Sequence, residues 1–282
     1  MLTALLGVAT AALFGSGDFL GGLASRRSPA LAVTGVVYLV GVVAFTVLLL
    51  VVRPEQVTRA DLVWGAASGL AGTVGIVSLY AALAIGRMSI VAPITAALSG
   101  AGPAVFDLAR GSHVGTVTLA GLGLALLAVI VVSTRTGTVE EHGMPPSAVA
   151  LSVLAGAGFA CSLVALSLTL PASGFAPLLI ARLAGMAVMG AALLARRRQM
   201  SLTPSSARMA ASAGLLDAMA NITVISAIRI GPLAVASVVG GLYPVATMLL
   251  ARAVLGERLK RHQAVGVVMA LAAVVLTALP YE

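Results

Sequence analysis

The chain reads as long apolar runs separated by short clusters of Gly, Pro, Ser and Arg. A helix needs about 20 apolar residues to cross the hydrocarbon core of a bilayer. Ten runs approach that length, roughly 3–24, 29–52, 62–84, 88–109, 114–134, 147–170, 175–195, 209–229, 232–252 and 262–280. They lack the alternating dyad pattern of an outer-membrane barrel, so the pattern predicts helices. Most connections are short, as at 25–28 and 86–87, which makes successive helices antiparallel neighbours. Only 135–146 and 196–208 exceed a tight turn, and no soluble domain fits between runs. The expected fold is an all-α membrane protein of ten transmembrane helices.

Composition agrees with that class. The 282 residues are 60% hydrophobic and 9% charged, with a mean hydropathy of +1.11, too apolar to cover a water-facing surface. The opening MLTALLGVAT has no basic segment before its apolar run, so it reads as a retained helix and not a cleaved signal. The net charge of +8 would suggest nucleic acid in a soluble protein. Here the basic residues sit at the ends of apolar runs, where they set topology against anionic lipid, and no nucleic-acid partner is expected. Twelve Lys and Arg fall on one side of the predicted bundle and four on the other, with Arg182 inside a span. The richer side is expected to be cytoplasmic, which puts both termini on the non-cytoplasmic side.

The second half partly repeats the first. Gly69-Leu70-Ala71-Gly72 aligns with Gly214-Leu215-Leu216-Asp217, and Ala84-Ile85-Gly86 aligns with Arg229-Ile230-Gly231 at the same spacing. Ser28-Pro29 opens span 2 as Ala176-Pro177 opens span 7. Each half holds five spans, and an odd number makes the second half enter from the opposite side. The expected architecture is therefore two inverted five-helix repeats, 1–138 and 146–282, a geometry suited to alternating access.

The polar residues inside spans are few. Asp217 and Asn221 are four apart and share a helix face. With span 8 starting near Met209, Asp217 lies about 12 Å deep. It either binds a proton, a coupling cation or an ammonium group, or bonds a neighbouring helix as packing glue. Asn221 would orient the ligand. Asp18 stands in FGSGDFLGG, with Gly17 and Gly21 allowing a close helix crossing. It either shares a proton with Asp217 or caps a helix end. Arg182, five residues past Pro177, either holds an anionic substrate group, gates the outer mouth, or snorkels to headgroups. A pair with Asp217 would need side chains to bridge different depths, so none is asserted from the sequence. Tyr243-Pro244 is expected to kink span 9 at its middle, with the phenol either lining a cavity or bonded to a neighbour. Tyr38 and Tyr80 have weaker claims, and Trp64 reads as an interfacial anchor. Glu257-Arg258 either forms an ion pair between loops or is a solvated helix end.

Cys161 is single, which excludes an internal disulfide, and its apolar surroundings suggest a buried small residue. His113, His142 and His262 have no ligand spacing, so no metal or cofactor is expected. No GxSxG, HExxH or P-loop is present, so neither an enzyme nor a nucleotide-driven pump is indicated.

AIRIGPLAVASVVGGLYPVATMLLARAVLGERL at 227–259, with Gln263 and Gly266, and APLLIARLAG at 176–185 resemble the EamA-type carriers of the drug/metabolite transporter superfamily. SPALAVTGVVYLVG at 28–41 and ALAIGRMSIVAPITAAL at 82–98 match more weakly. The resemblance implies a ten-helix inner-membrane carrier with a central cavity, moving amino acids, metabolites or drugs, often outward. The first half departs from the pattern: Ser99-Gly100 stands opposite Tyr243-Pro244, and Thr34 opposite Arg182. The expected function is secondary transport of a small molecule by alternating access, with proton coupling through Asp217 or Asp18. The expected oligomeric state is monomer or homodimer. A non-transporting assembly subunit and a lipid flippase or intramembrane enzyme are the competing readings. A water-accessible pocket lined by spans 1–4 and 6–9 would favour the carrier.

Overall fold

The computed structural model describes residues 2–111, 116–133, 145–195, 202–231, 233, 236, 240–256, 261, 264–266, 268, 269, 272 and 276. Nine α-helices are bounded within them: α1 Leu2–Ser25, α2 Ala30–Val51, α3 Arg59–Ile85, α4 Met88–Ala109, α5 Thr116–Ser133, α6 Pro146–Ser167, α7 Ala176–Ala195, α8 Pro204–Ile230 and α9 Tyr243–Leu255. Residues 233, 236 and 240 are also helical, as are the described positions beyond 260. No strand occurs among the described residues, and five of these helices are long and apolar enough to cross a membrane. Glu257-Arg258, Arg196-Arg197-Arg198 and all three histidines lie outside the described residues, as does most of the expected tenth span.

Caps explain where the helices depart from the hydropathy reading. α3 starts at Arg59, earlier than expected, because Thr58 and Asp61 form a capping box. Asp61 N–H donates to Thr58 Oγ1 at 3.3 Å, and Thr58 N–H returns to Asp61 Oδ2 at 2.8 Å. α8 starts at Pro204 and not near Met209, because Thr203 caps it through Ser206 N–H at 3.2 Å. Pro204 suits that first turn, where its missing N–H has no partner to lose. α9 ends at Gly256, whose φ of 68° is the left-handed conformation that glycine adopts without a Cβ penalty.

Span 9 is a correction. Tyr243 and Pro244 do not kink the middle of a continuous helix. Gly241 and Leu242 form a turn, and Tyr243-Pro244 opens α9 in its first turn. Proline is tolerated there for the same reason as at Pro204. The polypeptide in this span is thus interrupted beside Tyr243, as in helices that line cavities.

Small residues set the packing. α1 lies along α8 and α9, α6 lies along α3 and α4, and α2 and α7 touch each other and also pack on α8 and α3 respectively. A Cβ on Gly15 would meet Tyr243 O at 2.4 Å, and one on Gly17 would meet Ala213 O at 3.4 Å. Likewise a Cβ on Gly156 would meet Thr95 O at 2.7 Å, and one on Gly158 would meet Gly75 N at 2.7 Å. Gly17 and Gly21, read as one GxxxG crossing, in fact serve two neighbours. Gly17 admits α8, whereas Gly21 admits the Tyr80 ring of α3.

Three apolar clusters result, the smallest of them Ala11, Ala92, Ala96 and Tyr243. One gathers Phe19, Val33, Leu79, Leu83 and Met88 toward the 26–29 turn. Another gathers Phe45, Leu166, Leu178 and Ile225 toward the 52–58 connection. Val43, Val47 and Leu50 of α2, and Val149 and Val153 of α6, face outward, where lipid would cover them. Cys161 joins that outward stripe. It is exposed, contrary to expectation, because α6 turns Ala148, Ser152, Ala155 and Gly156 inward and the opposite side out.

Candidate functional site

A cavity of about 110 Å³ lies between the helices, with walls from α1–α4, α6–α8, Ala236, Gly240, Gly241 and Tyr243. Those are the spans expected to line it. Asp18, Arg182, Asp217, Asn221 and Tyr243 all reach this one space.

Asp217 stands thirteen residues into α8, at the middle of its 27 residues and about 20 Å from its start. That is deeper than the hydropathy reading placed it, because the Thr203 cap adds a turn and more at the beginning. Arg182 also departs from expectation. It does not reach for headgroups and is not separated from Asp217 by depth. Its Nη2 donates to Asp217 Oδ2 in a buried ion pair. The reach of an arginine stem bridges the levels that rise per residue seemed to separate.

The pair is built by three neighbours. Gly41 of α2 lies against the Arg182 stem, where a Cβ would stand 3.1 Å from Cδ and Nε. The Tyr38 ring centroid lies 4.8 Å from the guanidinium carbon and that of Phe45 5.8 Å, so the cation rests between aromatic groups. Gly185 makes room for Tyr38, since a Cβ there would fall 2.1 Å from the ring. Thr73 Oγ1 donates to Tyr38 Oη at 3.0 Å and orients the phenol. Tyr38 therefore belongs to the site more firmly than the sequence suggested. Gly41 and Gly185 were its available signals: small residues in apolar spans, each leaving space for a large partner.

Asn221 Nδ2 donates to Asp217 O at 2.7 Å, one turn back, so the amide nitrogen is used within α8 while the side chain still lines the cavity. Asp18 is half-buried and lines the same space as Asp217. It sits well inside α1 and does not cap its end. Tyr243 Oη is buried without a hydrogen-bond partner. Neighbouring Ser99 donates its hydroxyl to Ala96 O at 3.2 Å. Two hydroxyl pairs that the sequence reading missed join helices at the cavity wall: Ser68 with Ser162 at 2.9 Å, and Thr10 with Thr223 at 2.7 Å. Among the described residues no group of His, Cys, Asp and Glu could hold a metal.

Residues 146–279 match the EamA-like transporter family. The second half of the chain is an EamA domain of the drug/metabolite transporter superfamily. This EamA match covers α6, α7, α8 and α9, and so includes Arg182, Asp217, Asn221 and Tyr243. No curated protein matches this chain. Solved structures do, 27 chains in all. One of them, described only as the crystal structure of a protein, aligns over 98% of this chain and 96% of its own, with a TM-score of 0.74 and 16% identity. That similarity establishes a shared fold. The family is one of transporters, and its membrane-spanning helices make this a multi-pass membrane protein.

Proposed function

We propose that the protein is a secondary carrier that moves a small solute across the inner membrane by alternating access around the Arg182–Asp217 cavity. The observation that carries the reading is a cavity inside the bundle that receives Asp18, Arg182 and Asp217, walled by helices from both halves of the chain, the second of which is an EamA domain. A polytopic assembly subunit has no need of buried charge at its centre, and intramembrane ionisable groups ordinarily mark a transport path. The resemblance to EamA carriers points to export. The Lys and Arg distribution favours termini on the non-cytoplasmic side.

An inverted repeat, 1–138 against 146–282, underlies the proposed motion. Three relationships support it. Adding five to each helix number in the α1–α8, α2–α8 and α1–α9 packings, counting α9 as span 9, returns the α6–α3, α7–α3 and α6–α4 packings. Gly15 and Gly17 admit the third and fourth helices of the other half as Gly156 and Gly158 do. Thr58 and Asp61 align with Thr203 and Ser206 at the spacing that aligns Gly69 with Gly214.

The caps also tie the halves together. Asp61 Oδ1 accepts Leu170 N–H at 2.7 Å, and Ala172 O accepts Glu55 N–H and Gln56 N–H at 3.0 and 3.2 Å. These bonds fix the α2–α3 connection to the α6–α7 connection. At the other end of the bundle Ser206 Oγ donates to Ala24 O at 3.4 Å, and Thr203 N–H to Ser28 Oγ at 3.5 Å. α2 therefore ends at the face where α6 ends, which makes α6 antiparallel to α1. A rocking carrier would loosen one tie while keeping the other.

Solute counterflow tests the reading. Vesicles containing the purified chain are loaded with one solute at high concentration, and a trace of the labelled solute is added outside. A panel of amino acids, polyamines, nucleosides, sugar phosphates and small quaternary ammonium ions serves as cargo. A carrier gives transient accumulation above equilibrium for at least one class. Simple equilibration for every solute, at rates equal to protein-free vesicles, sinks the proposal.

A further inference from the structure

Among the described residues the cavity holds two carboxylates and one guanidinium: Asp18, Asp217 and Arg182. Arg182 is committed to Asp217 and clamped by Tyr38 and Phe45. Among the described residues no hydrogen bond or ion pair engages the Asp18 carboxylate. The ionisable groups around it from the elements packed on α1 are Asp217 of α8, Tyr80 of α3, Tyr243 of α9 and, beyond Asp217, Tyr38 and Arg182. Among the described residues only Arg182 brings positive charge there, and that charge is already matched. A lone carboxylate sealed in a membrane costs several kcal/mol. Whenever the cavity closes, Asp18 must therefore be covered by one further positive charge.

A second feature points to what supplies it. Tyr243 Oη is buried at the same cavity, unpartnered, on a residue only 5% exposed. A phenol oxygen offers lone pairs to a cation and a proton to a carboxylate. Phe14, Phe159 and Tyr38 also line the space, and aromatic faces attract organic cations. An anionic cargo fits poorly. Bound at Arg182 it would have to displace Asp217, leaving three negative charges around one guanidinium. The cavity of about 110 Å³ suits a small molecule or the head of a larger one.

We propose that Asp18 is the exchange site of the cavity, holding in turn one proton or one small organic monocation, with Tyr243 as the second contact and the Arg182–Asp217 pair intact. The inference rests on the carrier reading and specifies its cargo and coupling. Each cation that binds releases one proton from Asp18, and each proton that binds releases the cation. The two cannot occupy Asp18 together, so transport is a one-for-one exchange without a net charge step.

Tetramethylammonium and methanesulfonate test it, because each is permanently charged and neither carries a proton through lipid. The full chain is reconstituted in vesicles with an enclosed pH dye. External tetramethylammonium chloride should raise the internal pH, and sodium methanesulfonate should not. In detergent, tetramethylammonium should release up to one proton per chain, and its apparent affinity should fall about tenfold per pH unit where Asp18 is protonated. Asp18→Asn should lose both responses by at least tenfold while keeping the wild-type melting temperature, and Asp18→Glu should keep them. An unfolded Asp18→Asn leaves the detergent proton release and its pH dependence in the wild type to decide. Tetramethylammonium exchange at the wild-type rate in a folded Asp18→Asn overturns the assignment. Methanesulfonate movement without tetramethylammonium movement also overturns it and leaves the carrier reading standing. With neither ion bound or moved, the cation assignment falls, and counterflow with the broader panel decides the carrier reading on its own.

Discussion

Arg182 on α7 donates its Nη2 to Asp217 Oδ2 on α8, with the Tyr38 ring 4.8 Å from the guanidinium. The side chains are 10% and 13% exposed, so each charge depends on the other for compensation. Removing one partner strands the other, at a cost of about 3–5 kcal/mol. Arg182→Met and Asp217→Leu should each lower the melting temperature strongly. The double variant should recover much of the loss, because two apolar groups of similar shape fill the site. Counterflow should stay absent in all three. Equal, additive destabilisation in a double-mutant cycle would show that the pair is not coupled.

Tyr243→Phe should separate stability from cargo binding. The buried hydroxyl makes no hydrogen bond, so its removal forfeits none and relieves an unsatisfied group. The melting temperature should hold or rise slightly. The concentration of cargo needed for half-maximal counterflow should increase. A large drop in melting temperature would mean that the phenol has a structural partner.

Asp61 should matter to stability out of proportion to its place at a helix end. It is fully buried and accepts from Thr58 N–H, Thr58 Oγ1 and Leu170 N–H. Asp61→Ala leaves those donors without a partner, at a cost of about 2–3 kcal/mol. Amide hydrogen exchange at Thr58 and Leu170 should accelerate most. Ser206→Ala, at the weaker tie, should cost about 1 kcal/mol. A reversed order would remove the argument that the two ties differ in strength.

Glycine substitutions should sort by what surrounds them. A Cβ at Gly69 would meet the backbone oxygen of Ala181 at 2.1 Å, and no flexible group can yield there. Gly69→Ala should therefore destabilise by about 1–3 kcal/mol through overpacking. Gly190, on α7, has nothing within 4 Å of its Cβ position. Gly190→Ala should be neutral or stabilising by up to about 1 kcal/mol, because alanine is the better helix former. Thermal unfolding of the two variants checks the contrast.

Helix placement was largely legible from hydropathy, since a bilayer demands an apolar run of fixed length whatever the fold. The misplaced starts of α3 and α8 came from caps, Thr58 with Asp61 and Thr203 with Ser206, that lie outside the apolar windows. Tyr243-Pro244 was read as a kink because proline within an apolar run breaks a helix. The turn at Gly241-Leu242 had already interrupted it, so the proline entered a new first turn instead. Cys161 was misjudged because an α6 that is apolar on every side does not declare which side faces the protein.

The chain alone established the class, the family resemblance and the short list of polar side chains inside the spans, because charge in hydrocarbon is rare and visible without coordinates. It did not disclose who pairs with whom. Arg182 and Asp217 sit 35 residues apart on separate helices, and their different depths along each axis gave no ground for asserting a pair. Only the packing of α2 against α7, with Gly41 and Gly185 making way for Arg182 and Tyr38, turned the arginine inward. That pairing is what leaves Asp18 as the uncompensated charge, and charge balance within a cavity is a property of assembled neighbours, not of residues in order.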